Sequence, residues 1–173
     1  MAKTIKAAFF DFDDTLFVHN HLIEERVKYG RLEDFTELWK GRRKVDLTPA
    51  TEVIDFAKLL KENGTKIYVL SYDHISLAQS WKKDMVEKNM PGLFDDVIIV
   101  SSPDMKITTM DAYSLAEGIG HSDILLIDDA IGTLFESIKN GFIAISPQEI
   151  MVNGCEKMYE KIQNINKDDI DFF

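Results

Sequence analysis

The sequence predicts an α/β fold in three layers, a parallel sheet with helices on both faces, on two observations. Four short apolar runs, Ile5 to Phe10, Lys66 to Leu70, Val97 to Val100 and Ile124 to Ile127, have strand length and are mostly β-branched or aromatic, with a fifth at Phe142 to Ile145. Their apolar residues are nearly continuous instead of alternating, which suits strands covered on both faces. Segments with helical spacing separate them, and alternation of strand and helix is the pattern of an open α/β sheet.

Taken in order, Met-Ala-Lys-Thr-Ile-Lys runs directly into the first strand without a long apolar leader, and is read as the start of the fold. Residues 17–48 interrupt the alternation. They include a helix candidate with Leu32, Phe35, Leu38 and Trp39 on one face, and are read as a small cap or flap. The scaffold resumes with a helix over Thr51 to Asn63, in which Val53, Phe56, Ala57 and Leu60 share a face. Leu77, Trp81 and Met85 mark the helix before the third strand, and Tyr113, Leu115 and Ala116 the helix before the fourth. Gly64, Gly118 or Gly120, and Gly141 stand where left-handed helix ends are expected. Ile150 to Ile165 reads as one terminal helix, followed by an acidic tail.

Composition narrows the function classes. The 173 residues, 45% hydrophobic and 29% charged, fit one domain over residues 1–173 with a core of ordinary size. A formal net charge of -10 disfavours long-range attraction to nucleic acid or to anionic lipid. The single cysteine, Cys155, excludes an internal disulfide framework and a thiolate zinc cluster, in keeping with a cytoplasmic location. No apolar run has the length of a membrane span.

In an open parallel sheet, ligands bind beyond the carboxyl ends of the strands, so the polar residues that follow each apolar run converge on one crevice. The first run ends Phe10-Asp11-Phe12-Asp13-Asp14-Thr15, the second Leu70-Ser71-Tyr72-Asp73, and the fourth Ile127-Asp128-Asp129. Asp11 and Asp13, two apart in extended backbone, point to the same side. With Asp128 they concentrate negative charge that calls for a cation. Carboxylate oxygens without thiolate or clustered histidine favour a hard ion such as Mg²⁺. An acidic pair or a serine after a strand is ordinarily a turn or helix cap, so Asp128-Asp129 and Ser71 do not single out a site alone. Asp11 directly follows an apolar run, where an unpaired charge is costly, and points to one more strongly. Their occurrence together, in this order, singles it out.

These residues resemble the motifs of the haloacid dehalogenase superfamily, Rossmann-like enzymes dominated by phosphatases, and the resemblance spans the chain. The first motif, DxDxT after an apolar strand, is matched by Asp11-Phe12-Asp13-Asp14-Thr15, the second by Ser71 and the fourth by Asp128-Asp129. The third, a lysine, is matched by Lys106 in Pro103-Asp104-Met105-Lys106 in preference to Lys82 or Lys83, which lie inside the preceding helix. The resemblance implies a phosphomonoester hydrolase with an aspartyl-phosphate intermediate. Asp11 would be the nucleophile and Asp13 the acid and base. Thr15, Ser71 and Lys106 would hold the phosphate. Mg²⁺ would be held by Asp11, by Asp13 through its backbone carbonyl, and by Asp128 and Asp129. Asp13 disfavours carbon-halogen hydrolysis, since dehalogenase members lack a carboxylate there, while a phosphomutase would carry the same residues.

Too few residues lie between Asp11 and Ser71, or between Ser71 and Lys106, for a large lid. An open site on a monomer or homodimer, taking a small phosphate such as a nucleotide or sugar phosphate, is the leading expectation. A phosphatase acting on a nucleic-acid end or a phosphoprotein is the alternative, and Lys40-Gly41-Arg42-Arg43-Lys44 is the basic cluster that would favour it. A non-catalytic member that binds a phosphorylated ligand or a protein partner is a further alternative. His19 and His21 are candidates for contact with the leaving group, and Tyr72 for stacking on a base or sugar, against the more ordinary reading of packing or capping.

Overall fold

The structure is a computed structural model that describes residues 4–19, 47–74 and 76–165. Five parallel strands form the central sheet: β1 (Ala7–Phe10), β4 (Lys66–Tyr72), β5 (Asp96–Val100), β6 (Ile124–Ile127) and β7 (Ile143–Ile145), in the order β5-β4-β1-β6-β7. Each matches an apolar run of the sequence to within two residues. A separate two-stranded antiparallel sheet, β2 (Phe17–His19) with β3 (Leu47–Pro49), stands at the base of the insertion, as a cap or flap requires. Residues 20–46, which carry the expected cap helix with Leu32, Phe35, Leu38 and Trp39, lie outside the described residues.

The continuous apolarity of β1 has the expected cause. Ala8 and Phe10 face one layer, with Val53, Phe56, Ala57 and Leu60 of α1 (Thr51–Glu62), Val86 and Met90 in and after α2 (Ser76–Asn89), and Ile150, Met158 and Ile162 of α5 (Pro147–Asn153) and α6 (Cys155–Gln163). Ala7 and Phe9 face the other, with Met110 of α3 (Met105–Glu117) and Phe142. On that side Phe9 stacks on Tyr68 at 5.1 Å and meets the edge of Tyr113 at 5.3 Å. The remaining helix, α4 (Ile131–Lys139), links β6 to β7.

Two expectations are corrected. The terminal helix is two helices, α5 and α6, because Gly154 between them adopts φ 81 and ψ 159, a backbone region essentially closed to residues with a Cβ. In α3 the inward stripe is Lys106, Met110 and Ser114, at helical spacing of four, whereas Leu115 is 86% exposed and Ala116 is exposed too. The helix ends at Gly118, in the left-handed conformation at φ 64, and not at Gly120. Among the described residues, no helix is long and apolar enough to cross a membrane.

Candidate active site

Sheet register builds the site. Phe10 pairs with Ile127 across β1 and β6, so Asp11 and Asp128, one residue on, stand side by side, and the Asp11 N–H donates to the Ile127 carbonyl at 2.9 Å. On the other flank Phe10 pairs with Val69, which brings Ser71 of β4 to the same edge. After Asp11 the chain folds into a tight turn. The N–H groups of Leu16 and Phe17 both donate to the Phe12 carbonyl, and Asp14 takes a left-handed φ of 50, rare outside glycine and tolerated best by Asp and Asn. Phe12 is thereby buried against Phe17 and Trp81, while Asp13 remains partly exposed.

Oxygens of Asp11, Asp128 and Asp129 all lie within 4.8 Å of one another. Asp128 is fully buried and Asp11 nearly so. Burial, then the Asp11 carboxylate, push Asp128 above the usual carboxylate range, and burial with the charges of Asp11, Asp128 and Asp14 raises Asp129 to about 6. Lys106, 4% exposed, is the internal counter-charge. Its Nζ donates to Asp128 Oδ2 at 2.7 Å and pairs with Asp11 Oδ1 at 2.8 Å. Although burial opposes the charge on Lys106, the two carboxylates outweigh it and raise its pKa. The remaining oxygen of Asp128, Oδ1, accepts from the Ala130 N–H at 2.9 Å.

One monocation among three carboxylates leaves net negative charge. The contact of Lys106 with Asp11 Oδ1 is short but poorly aligned, and that oxygen is buried without a hydrogen-bond partner among the described residues. Oxygen donors alone, crowded within 4.8 Å with one of them lacking an aligned donor, fit a hard divalent cation.

Asp13 is held apart from this trio. Its Oδ2 accepts from Lys82 Nζ at 2.5 Å, and the same ammonium donates to Ser71 Oγ at 3.1 Å and to the Tyr72 carbonyl at 2.9 Å. Lys82 is 1% exposed and also lies 3.5 Å from Asp73 Oδ2 and 5.3 Å from the Phe12 ring centre. Lys106 stands between Asp11 and Asp128, Lys82 also reaches the strand ends, and Lys83 is exposed. A signal existed, since Ala78, Lys82 and Val86 recur every four residues and all three are buried. Trp81 and Met85 of the expected stripe also pack on the core beside it, and the Leu77 side chain lies outside the described residues.

The other expected contacts divide. Thr15 is fully buried, and its Oγ1 has no hydrogen-bond partner among the described residues. The Tyr72 hydroxyl lies 3.2 Å from His74 Nδ1, with the two rings stacked at 6.1 Å. The basic cluster Lys40 to Lys44, His21 and the side chain of His19 lie outside the described residues.

No family model matches the chain, and no curated protein matches it in sequence. Solved structures do match in shape. A Had-superfamily hydrolase from Ehrlichia chaffeensis superposes with a TM-score of 0.55 over 91% of this chain and 99% of that one, at 14% identity. The fold is that of the haloacid dehalogenase superfamily. An aspartyl-phosphate intermediate analogue of phosphoserine phosphatase shares this haloacid dehalogenase fold at TM-score 0.55 and 16% identity, over 83% of this chain and 87% of that one. So does an aspartate-to-alanine mutant of a HAD family enzyme from Bacteroides thetaiotaomicron, solved with magnesium and inorganic phosphate, at TM-score 0.51 and 17% identity over 82% and 93%.

Proposed function

We propose that this chain is a Mg²⁺-dependent phosphomonoester hydrolase that works through Asp11, with a small phosphate ester such as a nucleotide or sugar phosphate as substrate. The observation that carries the reading is the division of the site into two charged halves. Lys106 ties Asp11 to Asp128, whereas Asp13, two residues from Asp11, is tied to Lys82 and Ser71. A nucleophile and an acid-base group in one site, with separate charge partners, is what two-step phosphoryl transfer needs.

Asp11, Asp128 and Asp129 would hold Mg²⁺, with the Asp13 carbonyl, and its charge would offset repulsion between the Asp11 carboxylate and an anionic phosphate. The chain's own residues do the rest. A carboxylate oxygen of Asp11 forms a bond to phosphorus as the ester P–O bond breaks, and Asp13 delivers a proton to the departing oxygen. Water then attacks the phosphorus, Asp13 takes its proton, and the bond between phosphorus and Asp11 breaks to release inorganic phosphate. Lys106 donates one N–H to Asp128 and faces Asp11 as an ion pair, which leaves an N–H for a phosphoryl oxygen. Ser71 Oγ accepts from Lys82, so its own O–H is free to donate to the phosphate. The phosphatase and magnesium-bound structures that share the fold support this reading.

Hydrolysis of p-nitrophenyl phosphate with Mg²⁺, abolished by Asp11→Asn and by EDTA, is the expected result. Absence of turnover across a broad panel of phosphorylated metabolites would refute the proposal and favour a phospholigand-binding protein.

A further inference from the structure

Lys82 is a buried cation that the scheme above leaves without a chemical task. Its ammonium has three N–H groups, and Asp13 Oδ2, Ser71 Oγ and the Tyr72 carbonyl, at 2.5, 3.1 and 2.9 Å, occupy all three. Nothing remains to donate to a substrate, unlike Lys106. A lysine 1% exposed on the apolar stripe of α2 is a costly choice where an aliphatic residue would pack, and Ala78 and Val86, four residues to either side, are such residues.

We propose that Lys82 is a positioning residue for the leaving-group half of the reaction, fixing the Asp13 carboxylate and the Ser71 hydroxyl together from a helix outside the strand-end motifs. This rests on the phosphatase reading above. Asp13 lies in a tight turn with its side chain 34% exposed, and the short contact to Lys82 fixes its Oδ2 on the side of Ser71. Because α2 is packed on the core through Val86, Trp81 and Met85, the ammonium is a fixed point, and Tyr72 ties it to the end of β4. Asp73, 3.5 Å away, adds charge that keeps the ammonium in place when Asp13 gives up its contact during turnover.

The test compares kcat/KM of wild type and Lys82→Met on aryl phosphates of graded leaving-group basicity. p-Nitrophenolate departs without a proton, while phenol and alkyl alcohols need one. Loss of positioning should lower kcat/KM on phenyl phosphate at least about tenfold more than on p-nitrophenyl phosphate, steepening the dependence on leaving-group basicity. In an Asp13→Asn background the same replacement should add no further steepening. Equal losses on every ester would reduce Lys82 to a structural residue and overturn the proposal. Should Lys82→Met fail to fold, Lys82→Gln, one atom shorter and uncharged but still carrying an N–H donor group, must show a smaller steepening of the same sign; parallel slopes overturn the proposal equally. Crystal structures of wild type and variant supply a readout independent of turnover. A displaced Asp13 carboxylate upholds the assignment even if no ester is hydrolysed, an outcome that would sink only the phosphatase reading; an Asp13 that stays in place overturns it.

Discussion

The N–H of Asp11 donates to the carbonyl of Ile127 at 2.9 Å, and this one sheet hydrogen bond sets the carboxylate after β1 beside the one after β6. Their closeness is a property of register, so it persists without a metal and must be tolerated electrostatically. In the metal-free protein Asp129 should titrate near 6, as burial first and then Asp11, Asp128 and Asp14 dictate. Asp11→Asn should move that titration down. Carboxyl carbon chemical shifts followed against pH will read both, and a titration unmoved by the substitution would mean that the three groups are not crowded.

The same shift makes stability pH-dependent in a definite direction. The folded pKa of Asp129 is raised from 3.8, so the fold is favoured by its protonated form, and its contribution is lost as pH rises through about 6. A divalent cation reverses the balance, because it binds the ionised carboxylates. Thermal melts with and without Mg²⁺ should therefore differ little at pH 5 and clearly at pH 7. An increment of Tm that is equal at the two pH values would count against metal binding by this trio.

Removing Lys106 tests the internal counter-charge. Lys106→Met leaves Asp11 and Asp128 buried with no cation, and should cost about 3–5 kcal/mol in urea unfolding without metal, the usual penalty for breaking a buried pair. Mg²⁺ should restore part of that loss. A variant as stable as wild type in EDTA would show that the acids simply protonate.

The break between α5 and α6 rests on one residue. Gly154→Ala places a Cβ at φ 81 and ψ 159, and should destabilise by about 1–3 kcal/mol although no atom of the described residues lies within 4 Å of the added carbon. Denaturant midpoints will measure it. Neutrality would mean that the terminal segment can run as one helix.

Strand positions were legible from Ile5 to Phe10 and the runs after it because strands covered on both faces leave continuous apolar sequence, a signal independent of partners. Asp11, Ser71 and Asp128 were legible for a related reason: each is the polar residue that directly follows such a run or its end. Helix faces were less legible. The stripe in α3 runs through Lys106, Met110 and Ser114, two of them polar, while the apolar Leu115 faces water. Of the expected Tyr113, Leu115 and Ala116, only Tyr113 packs on the core.

The amino-acid order alone determined which residues end the strands and that an acidic, oxygen-rich site must form there, because periodicity and adjacency are local properties of the chain. Only the tertiary structure decided which lysine meets which carboxylate. Lys106 and Lys82 both occupy buried helical positions, and their assignment to Asp11 with Asp128 and to Asp13 with Ser71 depends on how α3 and α2 dock on the sheet. Docking is set by side-chain packing between distant segments, which residue spacing within one segment does not encode.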